Sequence, residues 1–222
     1  MTETNPPPIT ATVTMCRRPG LMIKTMDSLL EKVEDSHLIS RWIAIDDGSS
    51  TKDICAISKR YPFLEIFCND DKGHPQALNN LFARVDTAYA FHFEDDWEFC
   101  TEGKLVTKCL DVLAHDPSVG VAGLRSFAHK RMVTANSTLY SPHIRSSSRN
   151  RWPGFSLNPG LIDMEKLRDT GPFLDEQSFE FHFARRFDAK GYKQAYVIPP
   201  NGRVWIKHLG IDSSYNLNNT QR

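Results

Sequence analysis

Apolar residues recur with two alternating periods along the first hundred positions. Ile9 to Met15 alternates β-branched residues and predicts a strand. Pro19 follows at a position suited to the first turn of a helix, and Met22, Met26, Leu29 and Val33 carry helical spacing to about Glu34. Arg41 to Ile45 predicts a second strand and Lys52 to Arg60 a second helix, with a Ser or Thr cap before it. Leu64 to Cys68 predicts a third strand, and Leu78, Leu81, Phe82 and Val85 form the apolar face of a third helix. Tyr89 to Phe93, an apolar and aromatic run, predicts a fourth, buried strand. Strand and helix in strict alternation predict a parallel, doubly wound sheet.

The second half is less regular. Leu105 to Leu113 predicts a helix and Val119 to Leu124 a strand. Residues Ser126 to Arg151 are polar, with weak strand character from Met132 to Tyr140 and a loop at Ser146 to Arg151 that fits a lid, an acceptor-side loop or plain surface. A short helix is expected near Glu165 to Asp169. Phe179, Phe183 and Phe187 then form one stripe of a helix that Gly191 ends. Tyr192 to Ile198 and Arg203 to Ile206 predict two last strands.

Two strands end in acids: Asp46-Asp47 closes the second, and Glu94, Asp95 and Asp96 close the fourth. In a parallel sheet both clusters fall on one edge, where open α/β sheets bind ligands. Adjacent carboxylates repel, so a divalent cation with phosphate oxygens as further ligands is their natural partner.

Composition narrows the function classes. With 27 basic and 27 acidic residues, the chain lacks the basic excess of a broad nucleic-acid surface. No apolar run reaches transmembrane length. The five cysteines show no CxxC pairing and read as reduced thiols of a cytoplasmic protein. At 222 residues the chain suits one domain.

Taken together, the motifs resemble the GT-A fold nucleotide-sugar glycosyltransferases, in particular the inverting, family-two-like group. The resemblance rests on Thr14 to Pro19, Ile45 to Ser49, Asn69 to Asn79, Phe93 to Asp96 in the place of the DXD motif, Asn158 to Gly160, Phe179-Glu180 and His208. It implies a mostly parallel mixed sheet flanked by helices. Residues 1–8 would be a flexible tail, 9–210 one GT-A domain with its nucleotide-binding half at about 9–100 and its acceptor-binding half at 101–210, and 211–222 a second tail. Thr14, Arg18, Asp46 and Asp47 would hold the base and ribose. Lys72 and Gly73 would meet the diphosphate, and Glu94 and Asp95 the ribose and metal region. Asp96 and His208 would ligate Mn²⁺ or Mg²⁺. Trp152, Asn158 and Gly160 would line the acceptor side, and Glu180 would be the general base. Here the chain departs from the family, which usually has an acid at the position of Phe179 and Asp at that of Glu180, so Asp163, Asp175 and Glu176 are rival bases.

The resemblance implies transfer of a hexosyl or deoxyhexosyl unit from a nucleoside-diphosphate sugar, UDP-linked by family habit, to a hydroxyl of a glycan or glycoconjugate. No nucleic acid is expected as a partner, and the chain fits one domain of a larger protein. A retaining enzyme on the same fold and a non-catalytic sugar-nucleotide or glycan-binding module remain alternatives.

Overall fold

Strand β1 (Ile9–Met15) is buried along its whole length and has a parallel neighbour on each side, β2 (Ile39–Asp46) and β4 (Tyr89–Glu94). β3 (Leu64–Cys68) adds in parallel outside β2. These elements are seen in a computed structural model that describes residues 7–125, 132–134, 143–146 and 154–210. Helices α1 (Pro19–Lys32), α2 (Thr51–Arg60) and α3 (His74–Phe82) connect the strands, as the periodicity predicts. Ser50 caps α2, its hydroxyl accepting the Asp53 N–H at 3.2 Å. Val85 lies beyond the end of α3, still in the core.

The remaining elements are β5 (Trp97–Phe99), α4 (Leu105–His115), β6 (Val119–Gly123), β7 (Met132–Thr134), β8 (His143–Ser146), β9 (Gly160–Asp163), α5 (Met164–Thr170), α6 (Phe179–Ala189), β10 (Lys193–Val197) and β11 (Ile206–His208). The main sheet has the order β3-β2-β1-β4-β9-β6-β10-β8-β7. Strands β8 and β9 run against the other seven, so the sheet is mixed but mostly parallel.

Helices cover both faces. Met22, Met26 and Leu29 of α1, Ile57 of α2 and the apolar side of α4 pack against Val13, Phe91 and Phe93. On the other face Leu78 and Phe82 of α3, Leu167 of α5, and Phe183 and Phe187 of α6 pack against Ala90, Val121 and Ile162. Burial of this apolar area is the main term holding the layers together. Among the described residues no helix is long and apolar enough to cross a membrane.

Three features depart from the periodicity. β9 is wedged between β4 and β6, antiparallel to both, where the sequence suggests only a passage through Leu161 and Ile162. The wedge is tight: a Cβ on Gly160 would stand 2.4 Å from the Ala122 carbonyl oxygen, so a glycine is needed there. β5 pairs with β11 in a separate antiparallel ribbon, Ile206 opposite Phe99 and His208 opposite Trp97. This places the last strand at Ile206–His208, later than the expected Arg203 to Ile206, because its register is set by β5. The expected tails, except residues 7 and 8, lie outside the described residues, as do Trp152 and the Ser146 to Arg151 loop beyond Ser146.

Candidate active site

The parallel strands bring their C-terminal ends to one edge, and the loops there carry unusual backbone. Arg17, Asp70 and Asp71 have φ between 55° and 58°, and Gly48 and Gly73 have φ of 99° and 91°. Non-glycine residues in this region are uncommon and persist only where their surroundings hold them. Arg17 is such a holder: its N–H donates to Ser49 Oγ at 2.7 Å, its Nε to the Gly48 carbonyl at 3.0 Å, and its guanidinium pairs with Asp71 at 2.7 Å. One side chain thus ties together the loops after β1, β2 and β3.

Asp46 and Asp47 serve these same loops. Asp46 is 1% exposed, and its Oδ2 accepts the N–H groups of Gly48 (3.2 Å) and Ser49 (2.9 Å), while its Oδ1 is buried without a hydrogen-bond partner. Asp47 accepts Asn69 Nδ2 at 2.7 Å and the Gly73 N–H at 3.1 Å, pinning the start of α3. Thr14 sits on β1 between Ile45 and Glu94, and Lys72 is exposed with Nζ 3.6 Å from Asp70.

At the end of β4 the donors change character. The Arg18 guanidinium reaches across from the start of α1, NH1 to Asp96 Oδ2 at 3.0 Å and NH2 to Asp95 Oδ1. Asp95 Oδ2 also accepts the Cys16 N–H at 3.2 Å. His208 Nε2 stands 3.4 Å from Asp96 Oδ2, its ring edge-on to Trp97 with centroids 4.8 Å apart. The Leu209 N–H donates to the Asp96 carbonyl at 2.7 Å, and a Cβ on Gly210 would lie 2.5 Å from Asp96 Oδ2. The C-terminal side of the ribbon therefore lies directly on Asp96. Asp96 Oδ1 is buried with no partner, and so is Arg18 Nε. Among the described residues no group of three or more His, Cys, Asp or Glu is placed to hold a metal ion by itself.

Burial dominates the electrostatics. It pushes the Asp95 carboxyl up to about 7 against the pull of Arg18, with Asp96 adding to the rise. Burial would lower Arg18, but the charges and hydrogen bonds of Asp95 and Asp96 leave it above its ordinary value. A guanidinium N–H directed at each carboxylate favours the ion pair at neutral pH. Glu94 is pushed up to about 8 by burial, then by Asp96 and Glu180. Its Oε1 is 3.7 Å from His74 Nε2, and burial holds the His74 imidazole down to about 4, so that ring is neutral.

Glu180 enters from the other half. It lies in the first turn of α6, whose stripe is locked by stacking of Phe183 on Phe173 (4.2 Å) and contact with Phe155 (4.6 Å). Its Oε1 accepts the Leu157 N–H at 2.9 Å. Burial raises the Glu180 carboxyl, while the Leu157 N–H and Arg125 oppose the rise. The preceding Phe179 ring meets His74 edge-on at 5.3 Å, which joins α6 to the β4 side of the edge.

Asn158 accepts Arg125 NH1 at 3.1 Å, and Arg125 lies over the Trp97 ring at 5.2 Å. Gly160 pairs with His92 on β4 and Gly123 on β6, two positions back from Glu94. Of the rival bases, Asp163 faces Tyr89 at the opposite end of β4 and caps α5 through the N–H groups of Glu165 and Lys166. Asp175 and Glu176 are exposed.

Thus Arg18, Asp95, Asp96 and His208 come together, and Glu180 approaches through Glu94. Asp46 and Asp47 form a separate group, with β1 lying between. Arg17, His74 and Arg125 are contacts at this edge that the motifs do not single out. The doubled arginine after β1 and the histidine directly after Gly73 are the only local hints of the first two.

No family model matches the sequence, and no curated protein matches it. Solved structures do match its fold. GalNAc-T7 with UDP, GalNAc and Mn²⁺ is similar at a TM-score of 0.66 and 12% identity, over 88% of this chain and 43% of that one. The mannosyltransferase PcManGT from Pyrobaculum calidifontis, in complex with GDP-Man and Mn²⁺, gives 0.61 and 17% over 90% and 59%. TarS 1–349 of S. aureus gives 0.62 and 10% over 89% and 59%. The chain therefore spans between 43% and 59% of the solved chains it resembles. It has the GT-A fold of the nucleotide-sugar glycosyltransferases.

Proposed function

We propose that the chain is a metal-dependent glycosyltransferase that moves a sugar from a nucleoside-diphosphate sugar, UDP-linked, to a hydroxyl of a glycan acceptor. The observation that carries this reading is the meeting of Asp96, His208 and Arg18 at the edge of a GT-A sheet, with Glu180 delivered to the same edge from α6. Two of the solved structures that share the fold hold Mn²⁺ with UDP or GDP-Man.

In this reading residues 9–100 hold the donor and 101–210 the acceptor. Asp46 and Asp47 present carboxylate oxygens, which only accept hydrogen bonds when ionised, to an imide N–H or ribose hydroxyls. The unpartnered Asp46 Oδ1 and the positive-φ turn beside it suit a close neutral donor. Lys72 and Gly73 would meet the diphosphate, with Arg18 within reach of it at the end of β4. Asp96 and His208 would hold a divalent cation, Mn²⁺ or Mg²⁺, and the unpartnered Asp96 Oδ1 fits a hard-cation ligand. When bound, that ion supplies Lewis-acid neutralisation of the leaving diphosphate.

Glu180 takes the proton from the acceptor hydroxyl as it attacks the anomeric carbon from the face opposite the leaving group. A single displacement of this kind inverts the anomeric configuration. A carboxyl raised by burial is a stronger base than an exposed one, which suits a base working near neutral pH. Its second anchor, the Leu157 N–H, fixes one oxygen and leaves the other for the proton. Asn158 and Gly160 border the acceptor side.

The test is hydrolysis and transfer with a panel of nucleotide sugars, with Mn²⁺ and with a chelator. One nucleoside diphosphate is expected to be released only with metal, and a β-linked product from an α-linked donor. Glu180→Gln should lower turnover roughly 10²- to 10⁴-fold with donor binding retained. Undiminished turnover in that variant would remove Glu180 from the chemistry, and a product of retained configuration would replace the single displacement.

A further inference from the structure

We propose that Arg18 makes divalent-metal binding depend on the diphosphate, by standing in for the cation until a nucleotide draws it away. The inference rests on the glycosyltransferase reading of the same edge.

Three observations carry it. The Arg18 side chain is only 14% exposed and spans both aspartates, one nitrogen on Asp95 and the other on Asp96 Oδ2 at 3.0 Å. A bidentate guanidinium is a fixed, permanently charged fork, well matched to paired oxyanions. Next, Asp96 keeps one buried oxygen unpartnered, and His208 Nε2 waits 3.4 Å from the other. Two donors suited to a divalent ion, Asp96 and His208, therefore stand together, yet the Asp96 charge is already met by a side chain. Last, Arg18 Nε is itself buried with no acceptor, so the guanidinium has a hydrogen bond to gain elsewhere.

A divalent ion on Asp96 and a guanidinium on the same carboxylate are like charges in a poorly screened place. The ion alone must take Asp96 from the arginine, leaving a buried guanidinium with Asp95 as its one carboxylate and a second cation beside it, which is costly. A diphosphate offers the fork further oxyanions, so Arg18 keeps Asp95, exchanges Asp96 for phosphate oxygens, and leaves Asp96 and His208 to the metal. Metal and nucleotide then strengthen each other by the same factor, as linkage requires.

The experiment measures Mn²⁺ binding to the whole chain by electron paramagnetic resonance of the free ion. It is run alone and with UDP or GDP, after subtraction of Mn²⁺ held by free nucleotide. In the parent, either diphosphate should tighten Mn²⁺ binding about tenfold or more, within the usual range of coupling. Arg18→Gln should bind Mn²⁺ alone about tenfold tighter than the parent, with the coupling reduced toward one. Arg18→Lys, which keeps the charge but loses the fork, should fall between them.

Mn²⁺ affinity in Arg18→Gln equal to or below the parent's, while nucleotide still binds, would overturn the inference alone. Should that variant fail to fold, the parent decides, because Mn²⁺ binding indifferent to diphosphate overturns the inference equally. Absence of any nucleotide binding, with or without Mn²⁺, would instead sink the glycosyltransferase reading beneath it.

Discussion

Asp46-Asp47 and Asp95-Asp96 stand at the ends of the two strands that flank β1, and different kinds of donor satisfy them. The first pair accepts backbone N–H groups of Gly48, Ser49 and Gly73 and the Asn69 amide, all neutral. The second is met by a guanidinium and faces an imidazole. Neutral dipoles built into a turn cannot leave without unfolding it, whereas a guanidinium on a side chain can exchange for another cation. On the glycosyltransferase reading, the pair suited to a metal ion is the one whose present partner is itself a cation. An acidic pair held by its own turn is prepared to shape a loop and to accept a neutral donor.

The sharpest way to break this contrast is at the proposed metal ligand. Asp96→Asn should weaken Mn²⁺-dependent nucleotide binding roughly 100-fold or more, beyond the effect typical of an outer-shell partner. Asp47→Asn should leave Mn²⁺ affinity near the parent value, and calorimetric titration of both variants compares them directly. Equal losses would show that the two pairs are of one kind.

Stability should move the other way. Asp46→Ala strands the Gly48 and Ser49 N–H groups in a buried turn and should cost about 1–3 kcal/mol in urea unfolding. A cost no larger than that of Asp96→Asn would dissolve the distinction.

A third test concerns the strand behind Asp95-Asp96. His92 is fully buried, its Nδ1 3.1 Å from Thr12 Oγ1, and burial holds it down to about 3 from its ordinary 6.5. Its folded-state value is depressed, so the neutral ring contributes fully above pH 6.5, and that contribution is lost as pH falls toward 3. The parent should lose about 1.4 kcal/mol for each pH unit below 6.5 on this account. His92→Gln should show a flatter slope between pH 7 and 5 in thermal melts. Parallel slopes would mean that the ring titrates as freely as in an unfolded chain. The smallest effect belongs to Gly73→Ala: φ is 91° but nothing lies within 4 Å of the added carbon, so only backbone strain acts, about 1 kcal/mol by chemical denaturation.

Local periodicity was enough to read the β1 to β4 half, because each of those elements buries one face or both and is long enough to repeat. β9 was not legible: four residues give no period, and its partners are strands about 40 and 70 residues earlier. The β5–β11 ribbon escaped for the same reason, with three residues on each side. In the site, the acids that end strands stood out because charge beside an apolar run is conspicuous. Their separation into two kinds depends on where Arg17 and Arg18 point, one to the loops after β2 and β3 and the other to the end of β4. Adjacent identical residues carry no sign of that divergence. The Asp35 carboxylate shows the same limit, since it caps α4 through the Val106 and Thr107 N–H groups 71 and 72 residues away.

The ribbon has a consequence for how the molecule is made. A nascent chain emerges amino end first, and β1 to β4 with their helices can assemble early from near neighbours. β5 must wait, because the strand that pairs with it, the histidine that meets Asp96 and the Leu209 amide that holds the Asp96 carbonyl all come about 110 residues later. Until Ile206–His208 has left the ribosome, the sheet edge exists without the imidazole beside Asp96 and without the amide that holds its carbonyl. The order of synthesis thus completes this edge only after the helix that carries Glu180 has been made.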